Sequence, residues 1–292
     1  YKAEPCKRVY IKGSDAWTPT WGAGGAPGVY SATPITDLSG TDGIYVDGTN
    51  PLHVKVSATP YGRNGKAEID AVTAYERTAI AGSDPNLSLT LGQVFVNGSM
   101  LKQLPFLSEV IATAGSWTFN PTQNKIYVNF KSGTAPTGSD LIELTTRRRV
   151  FAPHARGLGY INLIGFIIEH SGNQFPLNFW SSAVTQQMGM IGTRSGHHWV
   201  IKDNVIQFAN SIGLDIGAES DWPYVAGQPA SIFDSEGIGK PWLTYAGCTT
   251  PVCGHLVENN YVLDNGESGI SGYQTEAAII RGNVLQRNNN LL

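Results

Sequence analysis

Long apolar runs are missing from this sequence. Nothing approaches the roughly 18 consecutive residues that a membrane-crossing helix needs, so no such helix is expected. Charge is scarce as well: 15% of the 292 residues are charged, with a formal net charge of −3. That leaves no basic footprint for nucleic acid and no acidic tail, and neither nucleic acid nor membrane is an expected partner. The one basic run, Arg147-Arg148-Arg149, follows a β-rich segment and reads as a solvated strand edge. The start, YKAEPCKRVY, is not a signal peptide, although a mature secreted chain would begin no differently. There are three cysteines and neither a CxxC nor a His-rich metal signature, so no cofactor is expected. No nucleophile elbow surrounds any serine, which argues against a serine hydrolase. The Gly22–Gly28 loop lacks the Lys-Ser/Thr ending of a phosphate loop.

What the chain does have is glycine, with 34 residues, and aromatics, at 10%. Both suit an all-β protein with many turns. The first 90 residues are the least legible. Val9-Tyr10-Ile11 and Val54-Lys55-Val56 look like strands, and Ile69, Val72, Tyr75 and Ala79 sit at helical spacing over 69–80. Beyond residue 90 the text is regular. Val94-Phe95-Val96 runs into Asn97-Gly98, a favoured hairpin turn because both residues tolerate positive φ. Trp117-Thr118-Phe119 and the strand beginning at Lys125 flank a longer turn, and 141–144 is another strand. The division read from the sequence is 1–89, then a small β module over 90–150, then a repeat region over 151–292.

The repeat is clearest in 197–217, HHWVIKDNVIQFANSIGLDIG. Its grammar is an apolar pair, an Asn turn, a second apolar pair, a polar turn and an alternating strand. LVENNYVLDNGESGISG and AIIRGNVLQRNNN repeat it, and INLIGFIIEHSGN is a looser copy. Asn260 and Asn283 stand 23 residues apart, whereas Asn204 and Asn260 stand 56 apart. A loop-like insertion over 218–254 accounts for the surplus. A coil of this length with three short strands is the signature of a parallel β-helix. Each coil buries few side chains, and stacking joins them into one core. Asn at the turns is expected to take the left-handed conformation and to stack as an amide ladder. By the period of two, Ile212, Leu214 and Ile216 face inward and Asp215 outward; on the equivalent strand Ile270 faces in and Ser271 out. The end, Asn288-Asn289-Asn290-Leu291-Leu292, carries no cap, so further coils or another copy of the chain are expected to cover it.

Four pieces in order carry a family likeness: TFNPTQNKIYVNF, LIELTTRRRVFAPHARGLGYINLIGFIIEHSGN, QMGMIGTRSGHHWVIKDNVIQFANSIGLDIG and HLVENNYVLDNGESGISG. Their order resembles the N-terminal half of the right-handed β-helix glycoside hydrolases similar to the family 120 β-xylosidases. The likeness spans about residues 90–290. It implies a small β module inserted among the early coils, and a retaining glycosidase with two carboxylates beside a groove. In that family the catalytic pair lies on later coils, so no catalytic position transfers to this chain.

Glycoside hydrolysis needs two carboxyl groups, one with a raised pKa, and sugar binding adds aromatic platforms. Asp215 and Glu267 are the candidate catalytic pair: Asp215 interrupts an apolar strand, and Glu267 precedes the equivalent strand one coil on. His198, Trp199, Glu219, Trp222, Tyr224, Trp242 and Tyr273 are the candidate carbohydrate-binding residues. Asp221, Asp234, Glu236, Tyr245 and Glu276 are weaker acidic or aromatic candidates nearby, and Phe175, Phe179 and Trp180 form an aromatic loop that could wall a groove. His154 and His170 read as turn residues. Cys248 and Cys253 bracket a short loop, where a local disulfide would indicate an oxidising compartment, while Cys6 has no evident mate. The leading expectation is a secreted or periplasmic glycoside hydrolase with a carbohydrate substrate. A polysaccharide lyase on the same fold would need a basic residue in the groove and could use Ca²⁺. A non-catalytic adhesin, tailspike or fibre component is the third reading.

Overall fold

The computed structural model describes residues 1–33, 93–104, 106–120, 123, 125–147, 149–153, 157–173, 189–218, 248 and 252–288. The strand at 54–56 and the helix over 69–80 fall outside them. The described chain is all-β apart from one short helix. In chain order it forms β1 (Tyr10–Lys12), β2 (Ser14–Ala16), β3 (Gly22–Ala23), β4 (Val29–Ala32), β5 (Val94–Val96), β6 (Ser99–Met100), β7 (Lys102–Gln103), α1 (Leu107–Ala112), β8 (Ser116–Asn120), β9 (Lys125–Asn129) and β10 (Ile142–Thr145). There follow β11 (Asn162–Ile164), β12 (Ile167–Ser171), β13 (Gly189–Gly192), β14 (Val200–Lys202), β15 (Val205–Ala209), β16 (Ile212–Asp215), β17 (Leu256–Glu258), β18 (Tyr261–Leu263), β19 (Ser268–Ser271), β20 (Ile279–Arg281) and β21 (Val284–Gln286). Among the described residues no helix is long and apolar enough to cross a membrane.

From β11 onward the strands fall into three parallel sheets, ordered β11-β14-β17-β20, β1-β12-β15-β18-β21 and β13-β16-β19. Three passes of the chain each add one strand to each sheet in turn, and the last described pass adds β20 and β21, an arrangement compatible with a β-helix. Apolar side chains from all three sheets meet in one buried cluster that includes Leu163, Ile168, Ile191, Ile201, Ile206, Leu214, Val257 and Val262. Asp215 pairs with Ser271 and Leu214 with Ile270, the register expected from the alternation.

From β11 onward the passes bend at equivalent left-handed residues. One corner row is Gly165, Asp203, Asn259 and Gly282, with φ of 81°, 56°, 56° and 65°. A second is His170, Phe208, Asp264 and Arg287, and a third is Tyr160, His198, Gly254 and Ala277, all with positive φ. The asparagine ladder forms, but one residue beyond the left-handed position. Asn204 donates its backbone N–H and its amide to Asn260 Oδ1, both at 3.0 Å. Asn260 repeats this on Asn283 Oδ1 at 2.8 and 2.9 Å. The amides then donate to Leu163, Ile201 and Val257 carbonyls of the adjoining coils. The bend turns inward the polar groups that follow it, and the amide satisfies them where no water can. Asn265 and Asn288 form a second ladder, in which the Asn265 amide donates to Asn288 Oδ1 at 2.8 Å. Asn283→Ala is therefore expected to lower stability by about 1–2 kcal/mol, because Val257 O and the Asn260 donors lose their partner. A lower urea midpoint with an unchanged slope would register this.

The N-terminal segment departs from expectation. β1 joins the coils, with Tyr10, Ile11 and Lys12 paired in parallel with Ile167, Ile168 and Glu169. Lys2 bridges to Ile164 and Phe151 to Ile191, so the first coil is built from pieces on either side of a large insertion. The chain leaves the coil at Gly13, where an added Cβ would sit 2.5 Å from the His170 carbonyl. Two further sheets, β2-β10-β5-β6 and β3-β4-β9-β8-β7, make up the insertion. Trp17, Val94, Trp117, Ile126, Val128, Phe130 and Leu144 fill the space between them. Strands from residues 14–32 thus share sheets with strands from 94–145, across the boundary read at residue 90. The β5–β6 hairpin turns at Asn97 and Gly98, with φ of 50° and 77°. β8 and β9 pair antiparallel as expected, with Trp117 opposite Val128.

Candidate active site

The third parallel sheet carries the sequence-derived pair. β16 ends on Asp215, and Glu267 immediately precedes β19, one coil on. Parallel pairing of Ile212 with Ser268 sets Ser211 against Glu267. Glu267 N–H donates to Ser211 O at 3.0 Å, and Ser211 Oγ donates to Glu267 Oε2 at 3.0 Å. Burial pushes the Glu267 carboxyl above the usual glutamate range, and the Asp215 charge pushes it the same way; the Ser211 hydroxyl opposes both. Asp215 Oδ1 accepts the Gly217 N–H at 2.9 Å. Asp215 is not the solvent-facing residue that alternation implied. It is only 5% exposed, close against Gly189, where an added Cβ would lie 2.7 Å from the Asp215 Cβ.

The remaining sequence candidates separate. Tyr273, an exposed residue, lies just past β19, and its carbonyl accepts the Ala218 N–H at 2.7 Å, beside the Asp215 end of the sheet. His198 sits on the third corner row, stacked on Tyr160 at 5.1 Å, with its Nδ1 3.0 Å from His197 Nδ1. Trp199 does not line a groove. Its indole is fully buried in the coil core and donates to Leu158 O at 2.7 Å, which leaves no ring face for a sugar. An indole reads alike in sequence whether it lines a groove or fills a core. Glu219, Trp222, Tyr224 and Trp242 lie outside the described residues, as do Asp221, Asp234, Glu236, Tyr245, His154, Phe175, Phe179 and Trp180. Glu276 lies at the disulfide corner, bridged to Cys253.

Cys248 and Cys253 form a disulfide, with Cα atoms 6.1 Å apart, and Cys6 is a free exposed thiol. Among the described residues the grouping of potential metal ligands is His198, Cys248 and Cys253. Its sulfurs are bonded to each other, and sulfur and imidazole are not the oxygen donors Ca²⁺ requires.

A charged cluster that the sequence reading missed lies where the inserted sheets meet the coils. Lys12 Nζ contacts Glu143 Oε1 at 3.0 Å and Glu169 Oε1 at 3.2 Å. Ser14 Oγ donates to Glu143 Oε1 at 3.1 Å and lies 2.9 Å from His170 Nδ1. Gln207 Nε2 donates to Glu169 Oε2 at 2.7 Å. His170, read as an ordinary turn residue, is a corner residue but a buried one, stacked on Phe95 at 3.6 Å. The arginine run is not a solvated edge either: Arg147 pairs with Asp15 at 2.9 Å and Arg149 is buried. The one available sequence signal was a charged residue inside a buried strand, at Glu143 and at Glu169.

Burial above all, with the Lys12 charge beside it, holds His170 down to about 3, and burial above all holds His197 and His255 down to about 4. In the unfolded chain each takes its proton near pH 6.5. Between those values the unfolded chain binds more protons, so stability should fall as pH drops from about 6.5 toward 3–4. Glu267, raised in the folded chain, works in the opposite direction. Urea midpoints measured across this range should decline toward acid, and a flat profile would contradict the histidine burial.

No family model matches the chain, and no curated protein matches it. Among solved structures it is similar to XylC in complex with xylose, with a TM-score of 0.55 and 20% identity over 93% of this chain and 41% of that one. The likeness is one of fold, and this chain spans about two-fifths of the length of the structure it matches.

Proposed function

We propose that this chain forms a right-handed parallel β-helix, carrying an inserted β module, of a secreted carbohydrate-active glycoside hydrolase. The observation that carries the reading is Glu267: a partly buried carboxyl held above its ordinary pKa, with the Asp215 charge beside it on the adjoining coil. Cleaving a glycosidic bond requires one carboxyl that keeps its proton and one that is ionised, and the raised Glu267 fits the first of these roles. Glu267 donates its proton to the departing glycosidic oxygen. The Asp215 carboxylate balances the positive charge that develops at the anomeric carbon, which water then attacks, its proton passing to the Glu267 carboxylate. Tyr273 offers a ring to the sugar, and His198 a polar group farther along the coil. A resemblance in fold to a protein solved with xylose favours a pentose-containing oligosaccharide or polysaccharide as substrate. The Cys248–Cys253 disulfide fits an oxidising compartment.

The test is product analysis with the full chain on xylo-oligosaccharides and on uronic-acid polymers. Hydrolysis releases saturated reducing ends. A lyase would leave an unsaturated sugar that absorbs in the ultraviolet. The proposal fails if such absorbance appears, or if no glycosidic bond is cut.

A further inference from the structure

A second feature lies on a different face from Asp215 and Glu267. It is a cavity of about 410 Å³ on the outer side of the β1-β12-β15 sheet, at the junction with the inserted module. That volume is within the range of small-molecule sites. Its floor is a row of three residues in register on successive coils, Lys12, Glu169 and Gln207, spaced by about 4.8 Å as neighbouring strands are. Tyr10, 48% exposed as a residue, forms one wall, and Phe208 forms another. Gly98, from the Asn97–Gly98 turn, lies at the rim. Nothing lies within 4 Å of where its Cβ would be, so the rim stays open.

We infer that this cavity binds a neutral oligosaccharide, stacked on Tyr10 and hydrogen-bonded through its hydroxyls to Glu169 and Gln207. Chemistry selects the class. The floor presents acceptors and donors side by side, as vicinal hydroxyls require, and the walls are aromatic. Charge excludes the anionic alternative. Two carboxylates, Glu143 and Glu169, face one ammonium, Lys12, which leaves the cluster net negative. His170 adds no compensating charge at neutral pH, because burial keeps it unprotonated. The cluster is also rigid. Lys12 is committed to both carboxylates, and His170 is pinned between Phe95 and Phe208, at 3.6 and 6.0 Å. A pre-set floor loses little entropy when a ligand arrives.

Calorimetric titration of the full chain with xylotriose, with cellotriose and with a galacturonic acid trimer tests this. At least one neutral trimer should bind saturably, and the acidic trimer at least about tenfold more weakly. Tyr10→Ala and Gln207→Ala should each weaken the neutral ligand, the former about tenfold, the value of one lost aromatic contact. Both side chains are at least partly exposed, and unchanged thermal melting would show that the variants fold. A double variant, Asp215→Asn with Glu267→Gln, should abolish hydrolysis and leave this binding intact, so the two sites succeed or fail separately. The inference is overturned if neither neutral trimer binds, if the acidic trimer binds equally well, or if binding survives both cavity variants. It is also overturned if the Asp215/Glu267 double variant removes binding.

Discussion

Glutamine in place of Glu267 is expected to lower kcat/KM for glycoside hydrolysis by about 10²- to 10⁴-fold, the usual contribution of a positioned general acid. The substitution is nearly isosteric. Its amide oxygen can still accept the Ser211 hydroxyl, which now bonds Oε2 at 3.0 Å, so the fold should persist. What is lost is the proton for the departing oxygen. The pH profile makes the claim specific. Activity should fall as pH rises through the Glu267 pKa, which burial and Asp215 hold above the ordinary glutamate range. Asp215→Asn removes one of those two causes, so the surviving basic limb should move to lower pH. An unmoved limb would mean that the Asp215 charge does not act on the group that titrates. Full activity in both single variants would remove this pair from the mechanism.

Lys12→Met is expected to cost about 3–5 kcal/mol of stability, the penalty for leaving buried carboxylates without their cation. Glu143 and Glu169 are each 5% exposed and share this one ammonium. Lys12 stands on β1, Glu143 on β10 of the inserted module and Glu169 on β12, so the loss should fall on the joint between module and coils. Ser14 and Gln207 satisfy one oxygen on each carboxylate but supply no charge. Adding Glu143→Gln and Glu169→Gln to Lys12→Met should recover part of the loss, since neutral amides do not need the cation. Urea unfolding reads both results. A Lys12→Met protein as stable as the parent would mean that the cluster is solvated rather than buried.

These two sites differ in how far they can be read from the chain. Asp215 and Glu267 emerge from the repeat: once the coils are aligned on their Asn turns, the strands at 212–216 and 268–272 fall side by side. Lys12, Glu143 and Glu169 lie on no common repeat. Their meeting depends on β1 pairing with β12 across the whole inserted module, and a lysine beside Tyr10 carries no mark of a partner 131 residues away. Trp199 shows the opposite failure. The sequence marks it as notable, yet which way an indole points at the start of a coil is decided by the corner before it. Here that corner is His198, in the left-handed conformation with φ of 51°, and it turns the ring into the core.

The sequence by itself determined the coil. Its apolar pairs, its asparagines and its 23-residue step specify three short strands and a stacked amide ladder, because both are local and periodic. It also determined the Asn97–Gly98 hairpin, through the backbone freedom of those two residues. Only the tertiary structure decided how Asp215 is covered, where the N-terminal strand docks and which charges share the junction between module and coils. Those outcomes depend on pairings between distant segments, and the gain from neutralising a buried charge exists only once both partners have been brought out of water.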